Sequence, residues 1–151
     1  MTTKDELKSS LYAAIDRRSE EIIALGEGLR RHPELGFKEV KTAKVVAETF
    51  CKLGLAPRTG LALTGVRAEL PGHAGEGPTL ALLGELDALI VPGHPEADPE
   101  TGAAHACGHN AQVAGLLGAV MGLIDSKVMQ HLSGRVALFA VPAEELIASQ
   151  T

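Results

Sequence analysis

Two nearly continuous apolar runs, with an apolar-faced helix between them, do most to limit what this chain can become. Thr79–Leu86 (TLALLGEL) and Gly134–Val141 (GRVALFAV) each have the length of a strand and little polar interruption. That is the pattern of strands covered on both faces. Between them Val113, Leu116, Leu117, Val120 and Ile124 recur at helical spacing and predict a helix over 109–128. Strand, helix and strand in that order imply a parallel pair joined by a right-handed crossover. The expected fold class is α/β, a mostly parallel sheet flanked by helices.

The remaining segments fit around that unit. Thr3 and Glu6 form a capping box, in which each side chain serves an otherwise unpaired amide at a helix start. Leu7, Leu11, Ile15, Ile22, Leu25 and Leu29 carry this first helix to Arg30–His32, where Pro33 and Gly36 end it. A second helix is predicted over 37–52, with Val40, Ala43, Ala47 and Phe50 on one face. Gly65–Leu70 alternates apolar and polar positions as a half-buried strand does. Pro71–Pro78 reads as a hairpin-like turn, and 87–104, with three prolines and two glycines, as a long loop.

Composition narrows the function classes. A chain of 151 residues holds one domain with a real core, and aromatics at 3% leave Leu, Val, Ile and Ala to fill it. The net charge is −5 with no block of Lys and Arg, which argues against nucleic acid as a partner. The polar start MTTKDELKSS lacks the apolar core of a signal peptide. No apolar run nears the ~20 residues of a membrane span. Two cysteines without an export signal point to a reducing, cytoplasmic setting, so a Cys51–Cys107 disulfide is disfavoured.

The topology also says where to look for a site. Ligands of open α/β sheets bind beyond the carboxyl ends of the strands. Glu85 and Asp87 lie at the end of the first buried run, and Glu144 and Glu145 just past the second. The hexapeptide HACGHN (105–110) opens the helix between them and faces the same rim. Within a helix Cys107 and His109 would point roughly 200° apart, but turn backbone at Gly108 lets them share one ion. A thiolate, an imidazole and neighbouring carboxylates suit zinc and similar metals. Two other readings stay open from the hexapeptide alone: a reactive Cys107, its pKa lowered by the helix N-terminus and two imidazoles, or a histidine loop that binds nothing. Adjacent carboxylates such as Glu144 and Glu145 repel unless a cation lies close. In extended chain one could take metal while the other faces a water, the two parts that hydrolyse an amide. A solvated acidic pair is the plain alternative.

Four segments in order resemble one known family: RRHPELGFKEVKTAKVV (30–46), GELDAL (84–89), HACGHN (105–110) and VPAEE (141–145). They are similar to the metal-dependent aminoacylases and carboxypeptidase-G-type peptidases, in particular the amidohydrolases of hippurate, auxin–amino acid conjugates and p-aminobenzoyl-glutamate. The resemblance implies the N-terminal portion of a zinc-exopeptidase-like catalytic domain. Cys107, His109 and Glu145 would be metal ligands and Glu144 the general base that acts on the attacking water. Asp87 would serve catalysis by orienting a ligating histidine, with His105 and Asn110 in support behind the ligands. His32 and Glu34 match the family text but read as structural, whereas His73, His94 and His131 match nothing and are expected in solvent. The implied cofactor is a divalent transition metal, zinc or manganese with cobalt or nickel also suitable, two per site in the complete enzyme. The implied substrate is an N-acyl amino acid or dipeptide-like amide.

This sequence departs from the pattern in two ways. Asn110 stands where many members carry aspartate. The chain also ends six residues after Glu145, without the lid or dimerisation domain and the further histidines of the family. Residues 1–151 are therefore expected to be the N-terminal part of a metallohydrolase catalytic domain, with little turnover alone. The rival reading is a non-catalytic metal- or partner-binding domain derived from such a hydrolase. A sheet lacking later strands would keep an exposed edge, which predicts a homo-oligomer or a complementing second chain.

Overall fold

The chain opens on the capping box: the Glu6 amide donates to Thr3 Oγ1 at 3.3 Å and the Thr3 amide to Glu6 Oε2 at 2.7 Å. The computed structural model describes residues 2–146. The one long helix expected up to Arg30–His32 is two, α1 (Lys4–Arg17) and α2 (Ser19–Arg30), broken at Arg18. The break lets both halves lie on one long helix, α4 (His109–Asp125), while Arg18 bridges to Asp125 at 2.8 Å. Glycines make the approach close. A Cβ on Gly122 would lie 2.5 Å from Ile15 Cγ1, and one on Gly118 2.9 Å from Ile22 Cδ1.

α3 (Val40–Lys52) also differs from the expected helix over 37–52. It buries Thr42, Val46, Thr49 and Phe50, whereas Val40 is exposed. The cause is its first turn: Glu34 accepts from the amides of Lys41 at 3.1 Å and Thr42 at 2.8 Å and from the Thr42 hydroxyl at 2.9 Å. The helix is capped from outside, and the cap turns Thr42 inward.

Among the described residues the strands are β1 (Arg58–Leu61), β2 (Gly65–Pro71), β3 (Thr79–Glu85), β4 (Leu89–Ile90), β5 (Ala103–Ala104) and β6 (Arg135–Val141). The main sheet runs β1-β2-β6-β3. The β3–β6 pair is parallel with α4 as its crossover, and the α/β class holds. The sheet is mixed, however, and not mostly parallel: β1–β2 and β2–β6 are antiparallel. Nor does Pro71–Pro78 close a hairpin between β2 and β3. β6 enters between these two strands, pairing Leu70 with Val136 on one side and Leu80 with Val136 on the other.

The core lies on one face of this sheet. Val66, Ala68, Leu70, Val136, Leu138 and Ala140 meet Val46 and Phe50 of α3 and Val113, Leu117, Val120 and Met121 of α4. The opposite face carries Ala81, Leu83 and Phe139, with the Arg67 guanidinium 5.3 Å from the Phe139 ring centroid. β3 is therefore not covered on both faces as its sequence suggests. It is an edge strand, with Leu80 62% and Leu83 58% exposed. The long loop over 87–104 is not structureless either. The short β4–β5 ladder (Leu89 with Ala104, Ile90 with Ala103) returns the chain to the end of β3, so HACGHN starts beside Asp87. No described helix is long and apolar enough to cross a membrane.

Candidate metal centre

The parallel β3–β6 pair ends its two strands at the same rim, and side chains from four places meet there. The ladder runs on through the Leu86 amide to the Val141 carbonyl at 2.9 Å, which brings Asp87 level with the segment after β6. Gly108, at φ 101°, caps α4 in a left-handed conformation that an L side chain rarely adopts. The turn there overcomes the angular mismatch between Cys107 and His109. Cys107 Sγ, a His109 ring nitrogen and a Glu145 oxygen lie within 4.8 Å of one another, as do the ligand atoms of Glu85, His109 and Glu144.

His109 is the hub. It is buried, and its Nε2 faces Glu85 at 2.8 Å, Glu145 at 3.7 Å and Glu144 at 3.9 Å. The other ring nitrogen, Nδ1, lies 3.0 Å from the Asp87 carbonyl oxygen, which can only accept. Nδ1 therefore carries a proton, and Nε2 is the atom turned to the acidic groups. Asp87 is 1% exposed and does a second job: its Oδ2 accepts from the Glu145 amide at 2.9 Å. One buried residue thus orients the imidazole and fixes the backbone of an acidic pair. Glu85 is held in turn by Gln112, whose Nε2 donates to Glu85 Oε2 at 3.1 Å and whose Oε1 accepts from the Glu85 amide at 2.5 Å.

The expected residues are not all gathered here. Cys107, His109, Glu144, Glu145 and Asp87 come together. The Asn110 side chain turns away and donates to the Gly26 carbonyl at 3.2 Å, tying α4 to α2, so it is not a support of the cluster. His105 is shielded, with both ring nitrogens lacking a hydrogen-bond partner. Burial first, and the neighbouring His109 second, push its pKa down to about 4, which keeps it neutral near pH 7. The lowered thiol pKa of a reactive cysteine is absent. A hydrogen bond to Glu145, with further repulsion from Glu144 and Glu85, pushes the exposed Cys107 above the usual thiol value. These carboxylates outweigh the helix terminus. His32 Nδ1 lies 2.8 Å from the Gly28 carbonyl at the end of α2, a structural place. His73 and His131 are exposed, and the partly exposed His94 accepts from the Glu96 amide at 3.1 Å.

Sequence reasoning put Glu85 on the rim without giving it a role, and it missed Gln112. Gln112 was findable, because it lies three residues after His109 and shares its face of α4.

The donor set fits a divalent cation. Three carboxylates converge on one imidazole nitrogen with the Cys107 thiol close by, and no Lys or Arg pairs with the carboxylates among the described residues. Asp87 Oδ1 is buried without a hydrogen-bond donor, 3.3 Å from His109 Nδ1. Such a concentration of buried and half-buried acceptors is costly until a cation joins it.

Comparison with known proteins agrees with this geometry. Residues 81–150, which hold most of β3, HACGHN, α4, β6 and the acidic pair, match peptidase family M20/M25/M40. The chain is similar to this family over that segment. It is 38% identical over 128 residues to thermostable carboxypeptidase 2 of Saccharolobus solfataricus, covering 82% of this chain and 32% of that protein. With the N-acetyl-L-cysteine deacetylase of Bacillus subtilis it shares 32% identity over its whole length and 36% of the relative's. The solved YXEP protein of Bacillus subtilis, a dinuclear metal binding peptidase of the M20 family, superposes with a TM-score of 0.73 at 32% identity. That match covers 85% of this chain and 36% of YXEP. The chain thus spans about a third of the length of the relatives it matches.

Proposed function

We propose that this chain supplies a metal-binding part of an amidohydrolase site that cleaves the amide bond of an N-acyl amino acid or dipeptide-like substrate. Hippurate, auxin-conjugate and p-aminobenzoyl-glutamate types are the substrates in view. The observation that carries this reading is the convergence of Glu85, Glu144 and Glu145 on His109 Nε2, with Cys107 close to the imidazole and to Glu145, and Asp87 holding the Glu145 amide. Cys107, His109 and Glu145 would hold a divalent transition ion, zinc or manganese with cobalt or nickel as substitutes, and two ions would occupy the whole enzyme's site. When bound, such ions polarise a carbonyl and make a water easier to deprotonate.

The chain's own part in the chemistry is proton handling and orientation. Glu144 is half exposed and lies 3.9 Å from Nε2, the outermost carboxylate of the cluster. In this reading it takes the proton of the attacking water and returns it to the departing amine as the C–N bond breaks. Asp87 keeps Nδ1 protonated, which leaves Nε2 free to ligate. The two unpaired cysteines accord with a cytoplasmic setting. The proposed partners are a small amide substrate and either a second copy or a complementing chain.

The test is elemental analysis of the purified chain after dialysis against zinc or manganese, beside the His109→Ala variant. A stoichiometric ion in the native chain, lost in the variant, supports the reading. An ion-free native chain overturns it. Turnover of hippurate or p-aminobenzoyl-glutamate by the 151-residue chain alone should be slight, because a single ion on this donor set leaves the two-ion geometry unmade.

A further inference from the structure

Besides Asp87, one other carboxylate is buried among the described residues, and it touches neither His109 nor any acidic member of the cluster. Glu39, just before α3, is 0% exposed. Its Oε2 accepts from the Thr64 hydroxyl at 2.6 Å, and its Oε1 accepts from the Ala143 amide at 2.8 Å. Ala143 immediately precedes Glu144 and Glu145, and its φ is 57°. Left-handed backbone is uncommon for alanine and persists only where the surroundings impose it. Those surroundings are visible. Glu39 grips the amide of residue 143, Asp87 grips the amide of residue 145, and Gly36 leaves room that a Cβ would close to 3.1 Å from Ala143 Cβ.

We propose that Glu39 is a positioning residue of the site: through the Ala143 amide it holds the left-handed turn that directs Glu144 and Glu145 at His109. The inference rests on the reading of that acidic pair as cation-binding and catalytic. An apolar residue would fill the space before α3 at no desolvation cost. A carboxylate there, fed by one hydroxyl and one amide, is suited to fixing a strained peptide. Glu39 holds residue 143 and Asp87 holds residue 145, so each end of the Ala143–Glu145 segment has its own buried anchor. Releasing one end lets the turn relax to ordinary backbone, which swings both acidic side chains.

The experiment uses the 151-residue chain with Glu39→Ala, Glu39→Gln and Thr64→Val, and reads two quantities. The first is amide hydrogen exchange at Ala143, followed by NMR without added cation. The second is Co(II) affinity by optical titration. Glu39→Ala should speed exchange at Ala143 at least about tenfold relative to Ala137 and Leu138 in β6. It should also weaken Co(II) binding about 10- to 100-fold, the range for residues that orient ligands. Glutamine keeps one acceptor oxygen, so Glu39→Gln should recover both quantities to within roughly threefold. Native-like exchange and affinity in Glu39→Ala, or a glutamine variant as weak as alanine, would overturn the proposal. If Glu39→Ala does not fold, Thr64→Val decides. It removes only the hydroxyl that orients the carboxylate, and an unchanged Ala143 amide and Co(II) affinity would sink the idea. A native chain that binds no Co(II) refutes the cation reading instead, and exchange at Ala143 then judges Glu39 alone.

Discussion

Asp87 is the residue on which most of the site depends, because its backbone and its side chain serve different partners. Its carbonyl sets the His109 tautomer and its carboxylate holds the Glu145 amide. Replacing it with alanine spares the first contact and removes the second, leaving an amide whose lost partner costs about 1–3 kcal/mol. Asp87→Ala should therefore weaken cation binding about 10- to 100-fold by calorimetric titration, with His109 still in place. Asp87→Asn keeps one acceptor and should lie between. Equal affinity in all three proteins would show that the Glu145 backbone needs no anchor. At this scale the sequence was informative where ligand chemistry is local, as in Cys107-Gly108-His109, and where a carboxylate follows a buried strand. It was silent on Glu39 and misleading on Asn110, because a polar side chain's partner is set by whatever the fold brings opposite. For Asn110 that is the Gly26 carbonyl, distant in sequence.

Hydrophobic period was the reliable guide at the scale of elements. It gave β3, α4, β6 and the rim where they meet. It could not give the strand order, since β2 and β3 read as hairpin partners until β6 is seen between them. Nor could it divide α1 from α2, whose apolar positions continue through the break at Arg18. The segment 91–102 was illegible for another reason, since its order comes from polar turns. Asp98 Oδ1 accepts from the Thr101 amide at 2.7 Å, the Thr101 hydroxyl at 2.8 Å and the Glu100 amide at 3.1 Å, while Glu96 pairs with Arg30. Thr101's amide and hydroxyl hold the Asp98 pKa below its ordinary value, and Arg30 does the same for Glu96. A carboxylate whose folded pKa is depressed contributes above its unfolded pKa and loses that contribution as pH falls through the folded one. The segment should thus be ordered at pH 6 and loosen below about pH 4, near and under the ordinary carboxylate values. Amide exchange, corrected for its intrinsic pH dependence, should show protection at Thr101 and Gly102 falling with acid before that of β6. Simultaneous loss in both would mean the loop has no separate acid response.

For the whole molecule the unresolved balance is at β3. A sheet edge offers unpaired amides and carbonyls, and proteins usually guard it with charge, proline or a bulge. β3 reads TLALLGE: its sole charge is Glu85 at the site end, and Leu80 and Leu83 stand in solvent. On the Leu83 side Ala81 and Phe139 extend the apolar surface as far as β2, where Arg67 and Glu69 bring charge. Such an edge and face favour pairing with another strand. The chain should accordingly self-associate with rising concentration, as sedimentation velocity would detect. Leu83→Lys places a charge on the uncovered face without touching the helix-side core, so its stability should match the native chain's. It should raise the concentration for half-association about tenfold, which corresponds to about 1.4 kcal/mol. A lysine at Tyr12, exposed on α1, should leave association unchanged. If Leu83→Lys and Tyr12→Lys behave alike, association does not run through β3. If the native chain stays monomeric throughout, exposure at this edge is tolerated, and the twist of a four-stranded sheet would be its guard.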